Sequence, residues 1–171
     1  MLLSKKSQYN KEKFKNAVLF IAKNGGFDVG KKKLAKLLYF IDFTLFELTR
    51  GKSLTGLPYT KKDYGPMPEP KLFYKALNDL KNEGIIDIQE ANSYGLEKII
   101  PNSEPNIKIF DENELRILKQ LVEKFKLETA GDLEKIAQSE PPYKMVGYGE
   151  EIPYYLAFYR NSFGEMDLND D

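Results

Sequence analysis

Histidine and cysteine are both absent from this chain, so its chemistry rests on carboxylates, lysines, tyrosines and hydroxyls. Without an imidazole the Ser-His and Cys-His nucleophile arrangements cannot be built. Without thiols there is no disulfide framework and no thiolate zinc site. No spacing among the remaining groups matches a phosphate loop, a dinucleotide fingerprint or a carboxylate metal motif. The composition argues against an enzyme and against a cofactor, and for a chain that works by gripping another macromolecule.

The residues best suited to gripping lie between Lys52 and Pro70, where Gly56, Pro58, Gly65, Pro66, Pro68 and Pro70 rule out a helix. Tyr59, Tyr64 and Met67 sit among them. They are large, partly apolar and have little rotamer freedom to lose, and Gly65, Pro66 and Pro68 would hold the loop ready for a partner. The competing expectation is a loop folded onto its own core, since with 11 Tyr and 11 Phe many aromatics must be simple core. Tyr143 and Tyr148 are further candidates of lower rank. Asp42 falls on the apolar helix that precedes the loop, where an unpaired buried charge is costly. Its expected role is to accept from a loop amide, with partner contact as the alternative.

These residues need elements to carry them. Asn10 caps a first helix through Phe14, Ala17, Val18, Ile21 and Ala22, stopped at Asn24-Gly25-Gly26. A second starts near Asp28 to Gly30, carries Leu34, Leu37, Leu38, Ile41, Leu45 and Leu48 on one stripe, and ends at Gly51. Lys31, Lys32, Lys33 and Lys36 crowd its start, where the macrodipole favours acids. A solvated helix start is the expected reading, a DNA-facing one the alternative. Within the Gly/Pro loop, Tyr59 to Tyr64 reads as a short extended segment ending at a Gly-Pro turn.

Pro70 opens a third helix with Leu72, Phe73, Ala76, Leu77 and Leu80 inward, ended by Gly84. Ile85, Ile86 and Ile88 form a strand, Asn92 to Gly95 a turn, and Leu96, Ile99 and Ile100 the returning strand. Asp111 and Glu114 form a capping box for a fourth helix through Leu115, Leu118, Leu121, Val122 and Phe125. Thr129 caps a short fifth through Leu133, Ile136 and Ala137. Ser139 to Pro142 break it, a last helix starts at Pro153 within Ile152 to Tyr159, and the acidic tail 165–171 frays.

The expected fold class is mainly α (α+β): one helical domain over residues 1–171 with a small β-hairpin and a winged-helix-like core. No apolar run reaches the length of a membrane span, and the chain is read as cytoplasmic. Its charge is uneven, with 17 Lys and Arg against 7 Asp and Glu in residues 1–81 and 9 against 19 in residues 82–171. Such halves either present a basic surface to nucleic acid and an acidic one to a basic partner, or interleave and cancel. The third helix offers lysines but no arginine for bidentate base reading.

The segment Lys36-Leu-Leu-Tyr-Phe-Ile-Asp42, followed by Leu54-Thr55-Gly56, Tyr59 and Tyr64-Gly65-Pro66-Met67-Pro68, resembles the Panacea domain of bacterial and phage antitoxins, also called SocA-like. Ser139-Glu-Pro-Pro-Tyr-Lys144 is similar to a further family pattern, with Tyr143 where Trp is common and with an extra Pro. The likeness covers about residues 12–160. It implies a mostly helical fold and an antitoxin that neutralises a cognate protein toxin by direct binding. Asp42, Thr55 and Gly56 would be its structural motif, and Tyr59, Tyr64, Gly65, Pro66, Met67, Pro68 and Tyr143 its partner-binding residues. Some relatives act as adaptors that deliver a toxin to a protease, so a protease is a further expected partner. A winged-helix DNA-binding regulator is the alternative function, with nucleic acid as the partner it would require.

Overall fold

Local capping decides most helix ends in the computed structural model, which describes residues 8–90 and 97–160. Helix α1 (Lys11–Asn24) begins where the Asn10 side chain accepts from the Lys13 amide at 3.0 Å. Helix α2 (Lys31–Thr49) has no side-chain cap from Gly30. Instead Glu97, distant in sequence, accepts from the Lys31 amide at 3.2 Å, placing a carboxylate where the helix dipole wants one. Two short strands follow, β1 (Tyr59–Lys62) and β2 (Gly65–Pro68). Helix α3 (Pro70–Asn82) has Pro70 in its first turn and the Glu69 side chain accepting from Leu72.

A second hairpin, β3 (Ile86–Gln89) and β4 (Lys98–Pro101), pairs Ile88 with Ile99 and Asp87 with Ile100. The Ile99 amide turns the other way, to the Val29 carbonyl at 2.9 Å, so the α1–α2 turn adds one rung beside β4. The expected Asn92–Gly95 turn and Leu96 lie outside the described residues. Helix α4 (Glu112–Phe125) has the Asp111/Glu114 capping box. Helix α5 (Ala130–Ser139) has a second box, formed by Thr129 and Asp132. No helix among the described residues is long and apolar enough to cross a membrane.

Helix α2 is the axis of the core. Its expected stripe Leu34, Leu37, Leu38, Ile41 and Leu45 is buried, but so are Ala35, Tyr39, Phe40, Phe43 and Thr44 on its other sides. Helices α1, α4 and α5 and strand β2 all contact it. Leu48, one turn further on, escapes this coverage and is exposed, as is Ile136 on α5.

Three expectations need correction. The extended segment expected from Tyr59 is present as β1, but the Gly-Pro residues after it form a second strand rather than a loop, giving an antiparallel hairpin with Tyr59 opposite Pro68 and Lys62 opposite Gly65. A strand with two prolines belongs at a sheet edge, and β2 is the edge of the order β2-β1-β5. The break at Ser139–Pro142 is narrower than expected, because Pro141 starts a one-turn helix α6 (Pro141–Lys144). The last expected helix is present as a 3-10 helix over Tyr154–Tyr159 with Pro153 at its cap, but Ile152 before it lies in strand β5 (Glu151–Ile152), which pairs with β1. Residues 165–171 lie outside the described residues.

Candidate functional site

Lys36, Tyr39 and Asp42 follow one another at three-residue steps along α2 and therefore lie along one broad side of it. Each reaches a different distant segment. Asp42 is fully buried, and its Oδ1 accepts from the Leu54 amide at 2.8 Å and the Thr55 amide at 2.7 Å. Its Oδ2 accepts from the Thr55 hydroxyl and the Tyr59 hydroxyl, both at 2.6 Å. Burial pushes the Asp42 carboxyl up to about 6, against the pull of these four donors. The loop so held gives its Thr55 carbonyl to the Asn10 amide at 2.8 Å, which seats the start of α1. Gly56 has φ +73, and a Cβ there would lie 2.0 Å from the Gln8 carbonyl oxygen. Only glycine permits that approach.

Tyr39 donates to Glu140 at 2.8 Å, and Arg160 Nε donates to the same Glu140 oxygen at 2.9 Å. All three side chains are buried. Arg160 also reaches Thr44 on α2, so the end of the described chain is tied to the central helix by a charge-assisted network.

Lys36 sends its ammonium to the Pro66 carbonyl at 3.1 Å, beneath the Tyr64 ring at 5.3 Å. Burial lowers its amine to about 8, and Glu134 on α5 partly offsets this. Gly65 has φ +99, and a Cβ there would lie 3.1 Å from the Lys36 nitrogen and 3.4 Å from the Glu134 side chain. Lys33 is likewise withdrawn, donating to the Gly25 and Lys126 carbonyls at 2.9 Å each. Lys31 lies over the Tyr74 ring and beside Glu97. The expectation of a solvated lysine cluster thus fails for Lys33 and Lys36, which are 4% and 3% exposed. Carbonyls and aromatic faces, invisible to a local reading, take their charge.

The candidate partner-binding residues separate into two sets. Tyr59, Gly65, Pro66, Met67 and Pro68 are buried; Tyr59 and Met67 pack in the core and offer no side-chain surface to a partner. Tyr64 is 42% exposed at the β1–β2 turn. Tyr143 is partly buried, its hydroxyl donating to the Lys62 carbonyl at 2.7 Å and its ring 4.4 Å from the Lys61 ammonium. The Tyr148 hydroxyl accepts from the Asp63 amide at 3.0 Å, and Gln138 donates to the Asp63 carbonyl at 2.8 Å. The hairpin tip is therefore clamped from α5, α6 and the following loop. Exposed side chains of this region are Tyr64 at the turn, Tyr148, 60% exposed, which reaches the tip through its hydroxyl, and Met145, 52% exposed, at the end of α6. Met145 and Gln138 had no signal in the sequence, since one follows a helix end and the other sits on an unremarkable polar face.

Two surface grooves flank α3, of about 220 Å³ and about 510 Å³, and neither is lined by Asp42, Thr55 or Tyr59. Among the described residues no group of three or more Asp or Glu is placed to hold a metal ion. The two charge halves interleave: Lys13 pairs with Glu114 at 2.7 Å, Lys52 with Asp111 at 3.5 Å, and Lys23 with Glu104. On α3, Lys75 is turned to Asp79 at 2.9 Å, which reduces the charge available for phosphates.

A family model described as "Antitoxin SocA-like, Panacea domain" matches residues 34–144. That span runs from the first turn of α2 to the end of α6, and holds Lys36, Tyr39, Asp42, the Gly-Pro hairpin and Glu140. Neither a curated protein nor a solved structure matches the chain. With most of its length matched and every buried tie of α2 to the motifs in place, the chain belongs to the SocA-like antitoxin family, Panacea domain.

Proposed function

We propose that this chain is an antitoxin that neutralises a cognate protein toxin by direct protein–protein binding, without catalysis. The observation that carries the reading is the clamped hairpin tip. Tyr64 projects from a turn whose backbone is bonded to Gln138, Tyr143 and Tyr148, and the exposed Tyr148 ring and Met145 belong to the segment after α6 that supplies the last of these bonds. Exposed aromatics and a methionine on an already ordered scaffold lose little entropy when a partner covers them. Family membership supports the toxin as that partner. Neutralisation takes the form either of masking the toxin or of holding it for a protease.

The test is to express the product of the neighbouring gene with and without this chain, scoring growth and co-purification. Rescue of growth with a stable complex supports the reading, and a non-toxic neighbour with no complex defeats it. The Tyr64→Ala/Tyr148→Ala double variant is expected to weaken the complex at least about tenfold, as hot-spot aromatics do. Because the Tyr148 hydroxyl also holds the Asp63 amide, Tyr148→Phe is the control: it releases that bond, keeps the ring and should bind nearly as the parent does.

A further inference from the structure

Two of the three tyrosines at the hairpin tip use their hydroxyls to hold it: Tyr143 donates to the Lys62 carbonyl, and Tyr148 accepts from the Asp63 amide. Tyr64 is different. Its hydroxyl makes no hydrogen bond among the described residues, and its half-exposed ring lies over the Lys36 ammonium at 5.3 Å. Lys36 is buried and forms no ion pair among the described residues; its ammonium donates to the Pro66 carbonyl at 3.1 Å. An ammonium buried in this way costs stability, and a methionine of similar length would fill the place of its stem without that cost. What the amine supplies instead is a fixed direction. A Cβ on Gly65 would lie 3.1 Å from the Lys36 nitrogen, so the backbone crosses closely over the amine at the residue after Tyr64.

We infer that Lys36 is a positioning residue for toxin recognition: anchored on the Pro66 carbonyl, its ammonium holds the Tyr64 ring so that the outer face and the hydroxyl are presented to the toxin. This rests on the direct-binding reading above and names the group that prepares its site. A cation behind one face of a ring draws the ring's negative charge inward and disfavours a second cation on the other face. The toxin group that fits is therefore an apolar side chain against the ring, beside an oxygen that accepts from the hydroxyl, and not a lysine or arginine. Two further charges act on the amine, Glu134 from α5 and Lys32 from the preceding turn of α2, while β2 meets it with a carbonyl.

The test uses the full-length chain and the purified toxin encoded beside it, with affinity measured by titration calorimetry. The Lys36 amine, lowered to about 8, is mostly charged near pH 7 and mostly neutral near pH 9.5, where its attraction for the ring is lost. Lys36→Met should bind about fivefold more weakly than the parent near pH 7 and about equally near pH 9.5. The toxin's own titration cancels in that ratio. Lys36 makes the fold more stable over the same pH range, so the parent's fall in affinity is not loss of folding. In a Tyr64→Leu background, Lys36→Met should change affinity by less than about twofold, because the ring it acts through is gone. Equal binding by the parent and Lys36→Met near pH 7 overturns the positioning role and leaves the direct-binding reading standing. The same fivefold loss near pH 9.5, or in the Tyr64→Leu background, shows a general structural effect and also overturns it. Absence of any complex with the parent chain overturns both readings.

Discussion

The Asp42 carboxylate on α2 accepts the Tyr59 hydroxyl of β1 at 2.6 Å inside the core, with no solvent exposure at either residue. The same carboxylate holds the Leu54 and Thr55 amides and the Thr55 hydroxyl. Removing it strands four buried donors at once. Asp42→Ala is expected to cost roughly 3–5 kcal/mol in urea unfolding, while Tyr59→Phe, which removes one donor, costs about 1–2 kcal/mol. Equal losses from the two variants would show that the carboxylate is not the hub of the loop.

Gly56 and Gly84 both have positive φ, +73 and +76, but only Gly56 is pressed against another segment. Gly84→Ala should lose about 1 kcal/mol for its left-handed backbone. Gly56→Ala adds a clash with the Gln8 carbonyl and should lose at least about 2 kcal/mol more, measured by thermal unfolding. A similar loss at the two sites would mean that the approach of residues 8 and 9 to the Thr-Gly turn contributes little.

Lys36 makes stability depend on alkaline pH. Its folded amine is lowered from 10.5 to about 8 by burial, with Glu134 on α5 opposing the shift and Lys32 on its own helix adding to it. Between those pH values the unfolded chain binds more protons than the folded one, so this group makes the fold more stable as pH rises from 8 toward 10.5. Relative to the Lys36→Met variant, the parent should gain on the order of 1 kcal/mol between pH 7.5 and 9.5. Parallel pH profiles for the two would place the amine outside this window.

Arg160 and Glu140 form a buried pair, with Tyr39 completing the network. Breaking one side leaves the other charge uncompensated, so Arg160→Met is expected to cost about 3–5 kcal/mol. The Arg160→Met/Glu140→Gln double variant should recover part of that loss in the same denaturation assay. If it is instead worse than the single variant, the carboxylate is held by groups other than Arg160.

Helix starts were legible because their causes are local. Asn10, Pro70, Asp111 and Thr129 each act within one turn of themselves, and each lies where its helix begins. The strands β3 and β4 were legible from their isoleucines, whereas their register, Ile88 opposite Ile99, came only with the structure. Strand β5 was not legible, because its partner Tyr59 lies more than ninety residues earlier, and a two-residue strand carries no periodicity of its own. Part of the site was readable as well: a carboxylate on an apolar helix needs donors, and the Leu54 and Thr55 amides with the Thr55 and Tyr59 hydroxyls supply them at Asp42.

By itself the sequence determined a helical chain without imidazole or thiol chemistry, an acid on the apolar helix, and a punctuated segment of tyrosines and prolines beside it. Only the tertiary structure decided which of those tyrosines face outward. Tyr59 and Tyr64 have the same side chain and lie five residues apart; one meets Asp42 in the core and the other rests at the surface over Lys36. The lysines at the start of α2 follow the same logic, since their fate depends on the Pro66, Gly25 and Lys126 carbonyls. Burial and charge pairing are properties of what packs around a residue, and those neighbours arrive from elements far along the chain.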